Sequence, residues 1–466
     1  MKINIKDSDP NKKTILDISM KSSPRSLAVT ILNRVDQKNA YAEPLLDSYL
    51  SRDYITDVRD RNLLTELVYG TLRMRNHLDW IISSLYKGKP KSMEIGLKNI
   101  LRIALYQLLY TDRIPAFAAV DEAVKITQRE YPGRDRLVNA ILRNTVRTMD
   151  NITYPAFEKE PARYISIVHS HPEWLVARWV QRFGMDETIA LCKSNNEKPP
   201  LTLRVNTIKA DRDEIMSKLR KDGYNVRSTD FSSSGIIISN PFSAIQSLQL
   251  YSDGYLQIQD EASQLVAYIT DPKPGETILD LCSGVGIKTT HLAELMENNG
   301  KILAVDINRK KRQELRALAD KLNTTIAVQH MGDASEDLGK NYHDTFDRVL
   351  VDAPCSGLGT LRRNPEIKWR IQEHSIKNCT ILQKKILHSA ARYPKRGGII
   401  VYCTCSIESE ENENVVLEFL STHPDYRQMT PSAIMSFDML DENGFFKTYP
   451  HRHGTDGFFA AVLLRI

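Results

Sequence analysis

The spacing of apolar residues divides the chain into a helical first part and a last part of alternating elements. Within residues 24–149, apolar side chains recur every three or four positions, which predicts helices nearly throughout. The segment 95–110 is apolar on almost every side, so we expect this helix to lie inside a bundle. This part shows no two-residue period of the kind that predicts strands. The pattern therefore predicts an all-helical domain.

A different pattern begins near Gly254, where short apolar runs alternate with amphipathic helical segments. Alternation of this kind predicts an α/β domain with a mostly parallel sheet and helices on both faces. Right-handed crossovers would bring the carboxyl ends of the strands to one edge of that sheet. The predicted strands are residues 277–281, 301–306, 325–329, 348–351, 398–402 and 458–464.

The chain between these two parts mixes both patterns. Residues 201–209 and 235–239 read as strands, and residues 212–222 as a helix, which predicts a small α+β module. A chain of 466 residues is also too long for one ordinary core. The predicted regions are a disordered N-terminus at 1–20, a helical domain at 21–150, the small module at 160–250 and the α/β domain at 251–466.

Composition narrows the class of protein without identifying it. The formal net charge is only +5, which is compatible with a nucleic-acid partner but does not require one. Six cysteines without paired CxxC spacing indicate neither a disulfide framework nor a metal site. The polar N-terminus lacks a signal core, and no apolar run approaches the roughly 20 residues of a membrane span. We therefore expect a cytoplasmic protein with free thiols, no metal and no membrane contact.

One segment, ILDLCSGVGIKTTHL, reads as a strand, a turn of small residues and a helix. Gly284 and Gly286 permit unusual dihedral angles and a close approach of the backbone to a ligand. The dinucleotide fingerprint fails because Thr289 stands where it needs Gly or Ala, and a P-loop fails because Lys288 does not follow a glycine. A tight turn without any ligand is the simplest alternative.

Acidic residues at two later strand ends favour a nucleotide-like cofactor. Asp306 ends the next predicted strand, where it can accept hydrogen bonds from both hydroxyls of a ribose. Asp333 follows the third strand and can lie beside an adenine. The combination predicts a class-I S-adenosylmethionine site. Gly284, Gly286, Asp306 and Asp333 carry this prediction.

Two cysteines follow predicted buried strands and so should meet at the same edge of the sheet. Cys355 lies in DAPCSGLGT and Cys405 in YCTCSIESEEN. Two adjacent thiols suit covalent catalysis at cytosine, because a thiolate that adds to carbon-6 makes carbon-5 nucleophilic enough to accept a methyl group. Asp352 can hydrogen-bond the exocyclic amine and the ring nitrogen of the base. Cys403 is a rival nucleophile.

These motifs resemble known families. DAPCSGLGTLRRNPEIKW and YCTCSIESEENE resemble the two cysteine motifs of RNA 5-methylcytosine methyltransferases. RNLLTELVYGTLR and LVNAILRN resemble the helical RNA-binding domain of the antitermination factor NusB. With RVN at 204–206 and IQDEASQ at 258–264, nearly the whole chain resembles the bacterial small-subunit ribosomal RNA cytosine-5 methyltransferases called the Sun, Fmu or RsmB family.

The resemblance implies roles for individual residues. Cys405 would be the nucleophile and Cys355 would assist product release, with Asp352 orienting the base. The resemblance also implies the residues of the cofactor pocket, which are Cys282, Ser283, Gly284, Val285, Gly286, Ile287, Lys288, Asp306, Asp333 and Asp352. The resemblance also implies a NusB-like N-terminal domain, a Rossmann-like class-I methyltransferase domain and S-adenosylmethionine as the cofactor. The expected substrate is 16S rRNA, unassembled or partly assembled, and we expect a monomer. The alternatives are the same chemistry on tRNA or 23S rRNA, or a non-catalytic assembly factor that binds rRNA.

The chain departs from the family pattern at the cofactor turn. The family usually has Ala-Ala-Pro-Gly-Gly-Lys, whereas this chain has Ser-Gly-Val-Gly-Ile-Lys at residues 283–288. Val285 replaces the proline, and the β-branched Ile287 stands where glycine is usual. Because the length of the turn and Lys288 are kept, we expect cofactor binding to survive.

Basic residues supply candidate RNA contacts. Arg362, Arg363 and Lys368 follow the DAPC motif and can reach RNA phosphates, with plain solvated charge as the alternative. A second group accompanies the helical stripes and predicts either a basic face that meets phosphates or an ordinary solvated surface. This second group consists of Arg59, Arg61, Arg73, Arg75, Arg102, Lys125, Arg129, Arg134, Arg136 and Arg143.

Overall fold

The computed structural model describes residues 23–51, 55–86, 88, 92–239, 245–431 and 437–466. The predicted disordered segment 1–20 lies outside these residues. The chain forms two compact units, one of Met1–Cys192 with Asn364–Arg370 and one of Lys193–Arg363 with Ile371–Ile466. The domain boundaries drawn from the sequence stay a prediction.

The first unit is helical throughout its described part, which confirms that prediction. The fifth helix is its centre, with Leu101 and Leu105 fully buried together with the polar Asn99 and Arg102. The helices are α1 (Pro24–Lys38), α2 (Ala42–Leu50), α3 (Val58–Arg73), α4 (Arg75–Leu85), α5 (Ile95–Tyr110), α6 (Ala116–Glu130), α7 (Asp135–Thr148), α8 (Pro161–Val168), α9 (Glu173–Phe183) and α10 (Met185–Asn196), of which α10 ends in the second unit.

The strands β1 to β12 lie in the second unit, together with most of the helices that follow α10. The strands are β1 (Leu201–Val205), β2 (Asn225–Ser228), β3 (Gly235–Ser239), β4 (Leu256–Ile258), β5 (Thr277–Leu281), β6 (Lys301–Val305), β7 (Ala327–His330), β8 (Phe346–Asp352), β9 (Pro394–Thr404), β10 (Tyr426–Met429), β11 (Phe446–Lys447) and β12 (Phe459–Arg465). The helices are α11 (Arg212–Lys221), α12 (Gln249–Ser252), α13 (Glu261–Thr270), α14 (Ile287–Leu295), α15 (Arg309–Leu322), α16 (Ile367–Arg370, in the first unit), α17 (Glu373–Ala390), α18 (Glu413–Thr422) and α19 (Pro450–His453).

Several helices begin at a side chain that caps their free backbone N–H groups. The Ser23 hydroxyl accepts from the N–H of Ser26 at the start of α1. Asp57 begins α3 and Asp260 begins α13 in the same way, each with its carboxylate on the N–H two residues later. Local sequence therefore sets where these helices start.

Two sheets organise the second unit. A small antiparallel sheet has the strand order β2-β3-β1-β4, as expected for the α+β module. The large sheet has the order β10-β12-β9-β8-β5-β6-β7, with β11 beside β12. Strands β5 to β9 pair in parallel and the last strands pair antiparallel, which confirms the predicted mostly parallel sheet.

The order of the large sheet also locates a binding edge. Its connections run outward in opposite directions from the neighbouring strands β5 and β8. In open α/β sheets, ligands bind at such a reversal, outside the carboxyl ends of the strands. The predicted cofactor turn follows β5, and the first predicted cysteine follows β8. The topology therefore brings both motifs to the same position.

The segment Asn364–Arg370 completes the first unit by capping helices there. Glu366 accepts the N–H of Ala42, the first residue of α2, at 2.8 Å. The Lys368 ammonium donates to the carbonyl of Arg73, the last residue of α3, at 2.8 Å and to that of Ser170 at 2.9 Å. Helix ends leave such backbone groups without partners, so this segment satisfies them from a distant part of the sequence.

Candidate active site at the carboxyl edge of the large sheet

The turn after β5 has the backbone shape of a ligand-binding loop. Cys282, Gly284 and Gly286 all have positive φ angles, of 65°, 59° and 89°. A side chain at Gly286 would place its Cβ 2.5 Å from Leu315, so only glycine fits there. Beside Gly284 the nearest atom that a Cβ would meet is 4.0 Å away, which leaves space on that side of the turn. Helix α14 begins directly afterwards and directs free N–H groups to the same place.

The two predicted acids follow the next two strands. Asp306 lies just after β6, where its carboxylate accepts from the N–H of Gly284 at 3.0 Å and from that of Asn308 at 2.7 Å. Asp333 is exposed beyond the end of β7, and hydrogen bonds from the backbone and hydroxyl of Ser335 lower its pKa. Both acids therefore accompany the turn, as the sequence predicts.

An apolar feature of this edge was missed at the sequence level. Ile307 is 68% exposed and Met331 is 62% exposed, although both are large apolar residues. Strands β6 and β7 end at Val305 and His330, which pair with each other. Ile307 lies two residues after Val305, and Met331 directly follows His330. The sequence does contain a signal for this feature, because the apolar Ile307 directly follows Asp306 at the end of a predicted strand. Exposed apolar side chains that follow the same strands as the two carboxylates suit an adenosine, so the residues present fit the predicted cofactor.

A buried acid, Asp280, supports the turn from inside the sheet. Its carboxylate accepts from the Thr289 hydroxyl at 2.6 Å, which ties β5 to the first turn of α14. Burial raises the pKa of Asp280 to about 7. Thr289, which excluded a dinucleotide fingerprint in the sequence, therefore has a structural role here.

The two predicted cysteines lie next to each other. Strands β8 and β9 are parallel, with Asp352 paired to Cys403, so the residues just beyond these positions leave the sheet together. The Sγ atoms of Cys355 and Cys405 are 3.1 Å apart, and both residues are partly exposed. The geometry provides two thiols that can act on the same bound molecule.

Cys355 and Cys405 are partly exposed, whereas the third cysteine of this region, Cys403, is buried. A hydrogen bond with Cys405, burial and the nearby Glu411 raise the pKa of Cys355 well above its usual value. Cys403 is fully buried within β9, and burial raises its pKa well above the usual value too. Its sulfur faces Asp352 at 3.5 Å instead of the open edge. This placement disfavours Cys403 as the nucleophile.

Lys288 and Asp352 form an ion pair beside the cysteines. The ammonium lies 2.7 Å from the Asp352 carboxylate and 5.3 Å from the ring centre of Phe458. Burial alone would lower the pKa of Lys288, but Asp352 and the neighbouring thiols outweigh it and raise that pKa. The site therefore contains a fixed cation, a carboxylate acceptor and two sulfurs within one cluster.

Three basic residues after the DAPC motif were predicted to contact RNA, and all three bond to groups of this chain. They are Arg362, Arg363 and Lys368. Arg363 donates to Asp260 at 2.6 Å and to Asp456 at 2.7 Å. Arg362 is only 4% exposed and donates to the carbonyl of Gly454. Lys368 is 1% exposed, and burial lowers its pKa well below the usual range. In this structure the three side chains hold the fold together, so neither phosphate contact nor solvated charge describes them.

The basic residues of the first unit also divide into structural and exposed ones. Arg102 is buried and donates to both oxygens of Asp79 at 2.7 Å and to Asp36 at 3.0 Å, so its predicted place on a basic face is wrong. Arg136 and Arg143 are exposed on α7, together with Arg147. None of these three has an acidic partner within the described ranges.

A groove of about 830 Å³ lies between α6 and α7 in this unit. Phe117, which is 77% exposed, lines it together with Val120, Arg143 and Arg147. An exposed aromatic ring next to unpaired arginines is a surface that suits unpaired bases and phosphates.

Two absences hold for the described part of the chain. It contains no cluster of three or more His, Cys, Asp or Glu side chains that could hold a metal ion. No helix found there is both long and apolar enough to cross a membrane.

Comparison with known proteins gives a consistent result. A family model described as 16S rRNA methyltransferase RsmB/F matches residues 267–464. Models described as the NusB family and as the RsmF/B-like ferredoxin-like domain match residues 22–147 and 171–245. These matches fall in the α/β region, the helical region and the part of the small antiparallel sheet formed by β1, β2 and β3.

Individual relatives match along most of the chain. The probable ribosomal RNA small subunit methyltransferase B of Bacillus subtilis is 35% identical over 449 residues, covering 94% of this chain and 98% of the relative. The ribosomal RNA small subunit methyltransferase B of Proteus mirabilis is 34% identical over 406 residues, covering 87% and 90%. The crystal structure of PH0851 has a TM-score of 0.81 and 29% identity, covering 96% of this chain and all of that one.

Proposed function

Because this chain belongs to the ribosomal RNA small subunit methyltransferase B family, we propose that it transfers a methyl group from S-adenosylmethionine to carbon-5 of a cytosine in 16S rRNA. The observation that carries the proposal is the pair of sulfurs, Cys355 and Cys405, 3.1 Å apart at the carboxyl edge of the large sheet. Methyl transfer to an oxygen or an exocyclic amine needs no such pair. Attack on a pyrimidine ring through a covalent adduct uses one sulfur as the nucleophile, and a second sulfur beside it can assist release.

The turn after β5 would hold the cofactor, which supplies an electrophilic methyl group when bound. The residues 282–288 would surround its amino-acid part, and Asp306 would accept hydrogen bonds from its ribose. Asp333 and the exposed Ile307 would lie beside its adenine. The atypical Val285 and Ile287 leave the positive φ angles of the turn in place, which supports cofactor binding.

The chain's own residues would carry the chemistry on the base. The Cys405 thiol would lose its proton to solvent as its sulfur bonds to carbon-6, and the electron pair of the carbon-5 to carbon-6 double bond would move to carbon-5. Carbon-5 would take the methyl group, and the electrons of the methyl–sulfur bond would stay on the donor's sulfur. The Asp352 carboxylate accepts from the exocyclic amine, and from ring nitrogen-3 once that nitrogen is protonated. Lys288 holds Asp352 in place through their ion pair at 2.7 Å.

Release reverses the addition. The proton on carbon-5 leaves to a base, the ring double bond re-forms, and the bond between carbon-6 and the Cys405 sulfur breaks. Cys355 lies where its thiol can hydrogen-bond the departing sulfur, and its raised pKa keeps that proton available at neutral pH. We therefore assign Cys405 as the nucleophile and Cys355 as the residue that assists release.

The helical unit would contribute RNA affinity. We infer that the groove between α6 and α7 contacts the RNA substrate, with Arg143 and Arg147 on phosphates and Phe117 against an unpaired base. Arg136 extends the same exposed face of α7.

A transfer assay tests the assignment. Purified protein is incubated with labelled S-adenosylmethionine and protein-free 16S rRNA, and in parallel with 23S rRNA and with tRNA. We expect label in 16S rRNA with the unchanged chain and with Cys192→Ala, a buried thiol in α10, but none with Cys405→Ala. An active Cys405→Ala variant would contradict the mechanism, and label only in tRNA or 23S rRNA would move the same chemistry to that substrate.

A further inference from the structure

A single buried carboxylate connects the two cysteine loops. Glu411 lies between β9 and α18 and is fully buried. Ser356 follows Cys355 in the chain, and Ser406 follows Cys405. Both serines donate to Glu411, although 50 residues separate them from each other.

The hydrogen bonds to Glu411 come from both sides. One oxygen accepts from the N–H of Ser356 at 2.7 Å and from the Gln383 amide at 3.1 Å. The other oxygen accepts from the hydroxyls of Ser356 and Ser406, each at 2.5 Å. Gln383 also donates to the carbonyl of Pro354 at 2.9 Å, so the residues on both sides of Cys355 are tied to this cluster.

The position of Glu411 itself is fixed by β9. The hydroxyl of Tyr402 donates to the Glu411 carbonyl at 2.6 Å. The next residue, Asn412, accepts from the hydroxyl of Thr404 at 2.5 Å and donates to the carbonyl of Ser406 at 2.9 Å. The carboxylate is therefore held by the strand that ends just before Cys405 and reaches across to the loop that carries Cys355.

The free-energy cost of burying the Glu411 carboxylate indicates that this cluster does more than stabilise the fold. Moving a carboxylate out of water costs several kcal/mol, and well-packed apolar residues often stabilise a fold as well as a buried ion does. Four donors on one carboxylate offset much of that cost and fix its geometry. Burial raises the pKa of Glu411, while the hydrogen bonds from the two serines oppose that shift.

We propose that Glu411 is a positioning residue that sets the spacing of the Cys355 and Cys405 sulfurs by bonding the serine after each one. The proposal rests on the proposed covalent mechanism, because only a reaction that uses both sulfurs needs their spacing fixed. Glu411 is fully buried and does not reach the base on which the sulfurs act. It therefore influences the positions of the two sulfurs through Ser356 and Ser406.

The two serine bonds should have different kinetic consequences. Ser406→Ala loosens the loop of the nucleophile, so the covalent RNA adduct should form more slowly. Ser356→Ala loosens the loop of the release residue, so adduct should form normally and persist. Both serine bonds are lost together in Glu411→Ala.

An isosteric substitution separates positioning from mere folding. In Glu411→Gln the side-chain oxygen can still accept from Ser356 N–H and Gln383, and the new amide can donate to the two hydroxyls, which can accept. Glu411→Gln should therefore recover much of the activity that Glu411→Ala loses. The matched control is Glu418→Gln on the surface of α18, where Glu418 pairs with Lys384.

The experiment measures kcat, KM for 16S rRNA, affinity for S-adenosylmethionine and adduct on a denaturing gel. We expect Glu411→Ala to lower kcat about 100-fold, the size of effect that a misplacement of about 1 Å can have, with KM and cofactor affinity within about twofold of wild type. Glu411→Gln should recover at least about tenfold of the loss. In the Glu411→Ala background, Ser406→Ala should add no further loss, because its partner is already gone.

Several results would overturn the proposal. Unchanged kcat in Glu411→Ala is one, and a fall in cofactor affinity equal to the fall in kcat is another, since it indicates a structural role alone. If Glu411→Ala does not fold, identical adduct kinetics in Ser356→Ala, Ser406→Ala and wild type would overturn it. Activity in Cys405→Ala would instead reject the covalent mechanism, whereas an inactive Cys405→Ala beside normal Glu411 variants would reject this inference alone.

Discussion

The carboxyl edge of the large sheet and the helical unit use charged residues in opposite ways. At the edge, Asp306, Asp333 and Lys288 follow strands or a turn, where we propose that the cofactor binds. In the helical unit, Arg102 is buried against two carboxylates and supports the fold. The residue types are similar, but the position relative to a strand end differs. A charge just beyond a buried parallel strand is therefore strong evidence of a site, whereas a charge beside a helical stripe is weak evidence.

The largest expected effect breaks the chemistry at the edge. Cys355→Ala should abolish turnover and leave a covalent protein–RNA adduct, because the sulfur next to Cys405 can no longer assist its departure. The adduct appears as a retarded band on a denaturing gel and is absent in Cys192→Ala. Normal turnover in Cys355→Ala would show that release does not need the second thiol.

The next effect concerns stability in the helical unit. Arg102→Met should destabilise the chain by about 3–5 kcal/mol, because Asp36 and Asp79 lose the cation between them. The measurement is the lowest-temperature unfolding transition in calorimetry. Arg129→Met is the matched control, since its pair with Glu130 is exposed and is worth about 1 kcal/mol or less. Equal effects of the two substitutions would remove the distinction between structural and exposed cations.

A smaller effect tests the exposed cations of the same unit. Arg143→Glu with Arg147→Glu should weaken RNA binding about tenfold at physiological salt and reduce the slope of log affinity against log salt by about 2, with kcat unchanged. Filter binding across a salt series provides the measurement. Lys218→Glu with Arg227→Glu changes the net charge equally and is the control. Equal losses in both double variants would show that charge alone, and not this groove, explains the binding.

The smallest effect is a pH dependence at Asp280. Burial raises the pKa of this carboxyl to about 7, so the folded state holds its proton more tightly than the unfolded state does. The protein should therefore lose stability from this group as pH rises from about 4 to about 7. Asp280→Asn should remove that loss, because an amide does not titrate, whereas the cost of its unpaired N–H groups lowers the stability equally at both pH values. Calorimetry at pH 5 and pH 8 checks it, with the exposed Asp320→Asn as the control. An unchanged pH dependence in Asp280→Asn would contradict the assigned pKa.

The sequence predicted central elements better than edge elements. Strand β5 was predicted with its observed bounds, Thr277–Leu281, because an apolar run bounded by turn residues is typical of a buried parallel strand. Strands β2 and β10 were missed, since both are short, polar and at the edges of their sheets. Helix α13 was missed because its residues are buried on nearly all sides and show no helical period.

The site was predicted to the extent that local motifs describe it. The motifs placed Cys355, Cys405 and Asp352 at one edge, as the parallel register of β8 and β9 requires. The link that Glu411 makes between the cysteine loops was not predicted. This residue lies before α18, which begins at Glu413, and its side chain faces both loops. Its partner Ser356 is 55 residues away, and a pairing of that separation leaves no periodic signal in a single sequence.

Identification of the sulfur that bonds to RNA tests the account most directly. The Cys355→Ala protein is mixed with S-adenosylmethionine and 16S rRNA, the trapped adduct is digested with nuclease and protease, and the peptides are analysed by mass spectrometry. The account predicts one methylated cytidine nucleotide attached to Cys405. A nucleotide on Cys403, or no nucleotide on any cysteine of a protein that methylates 16S rRNA, would contradict it.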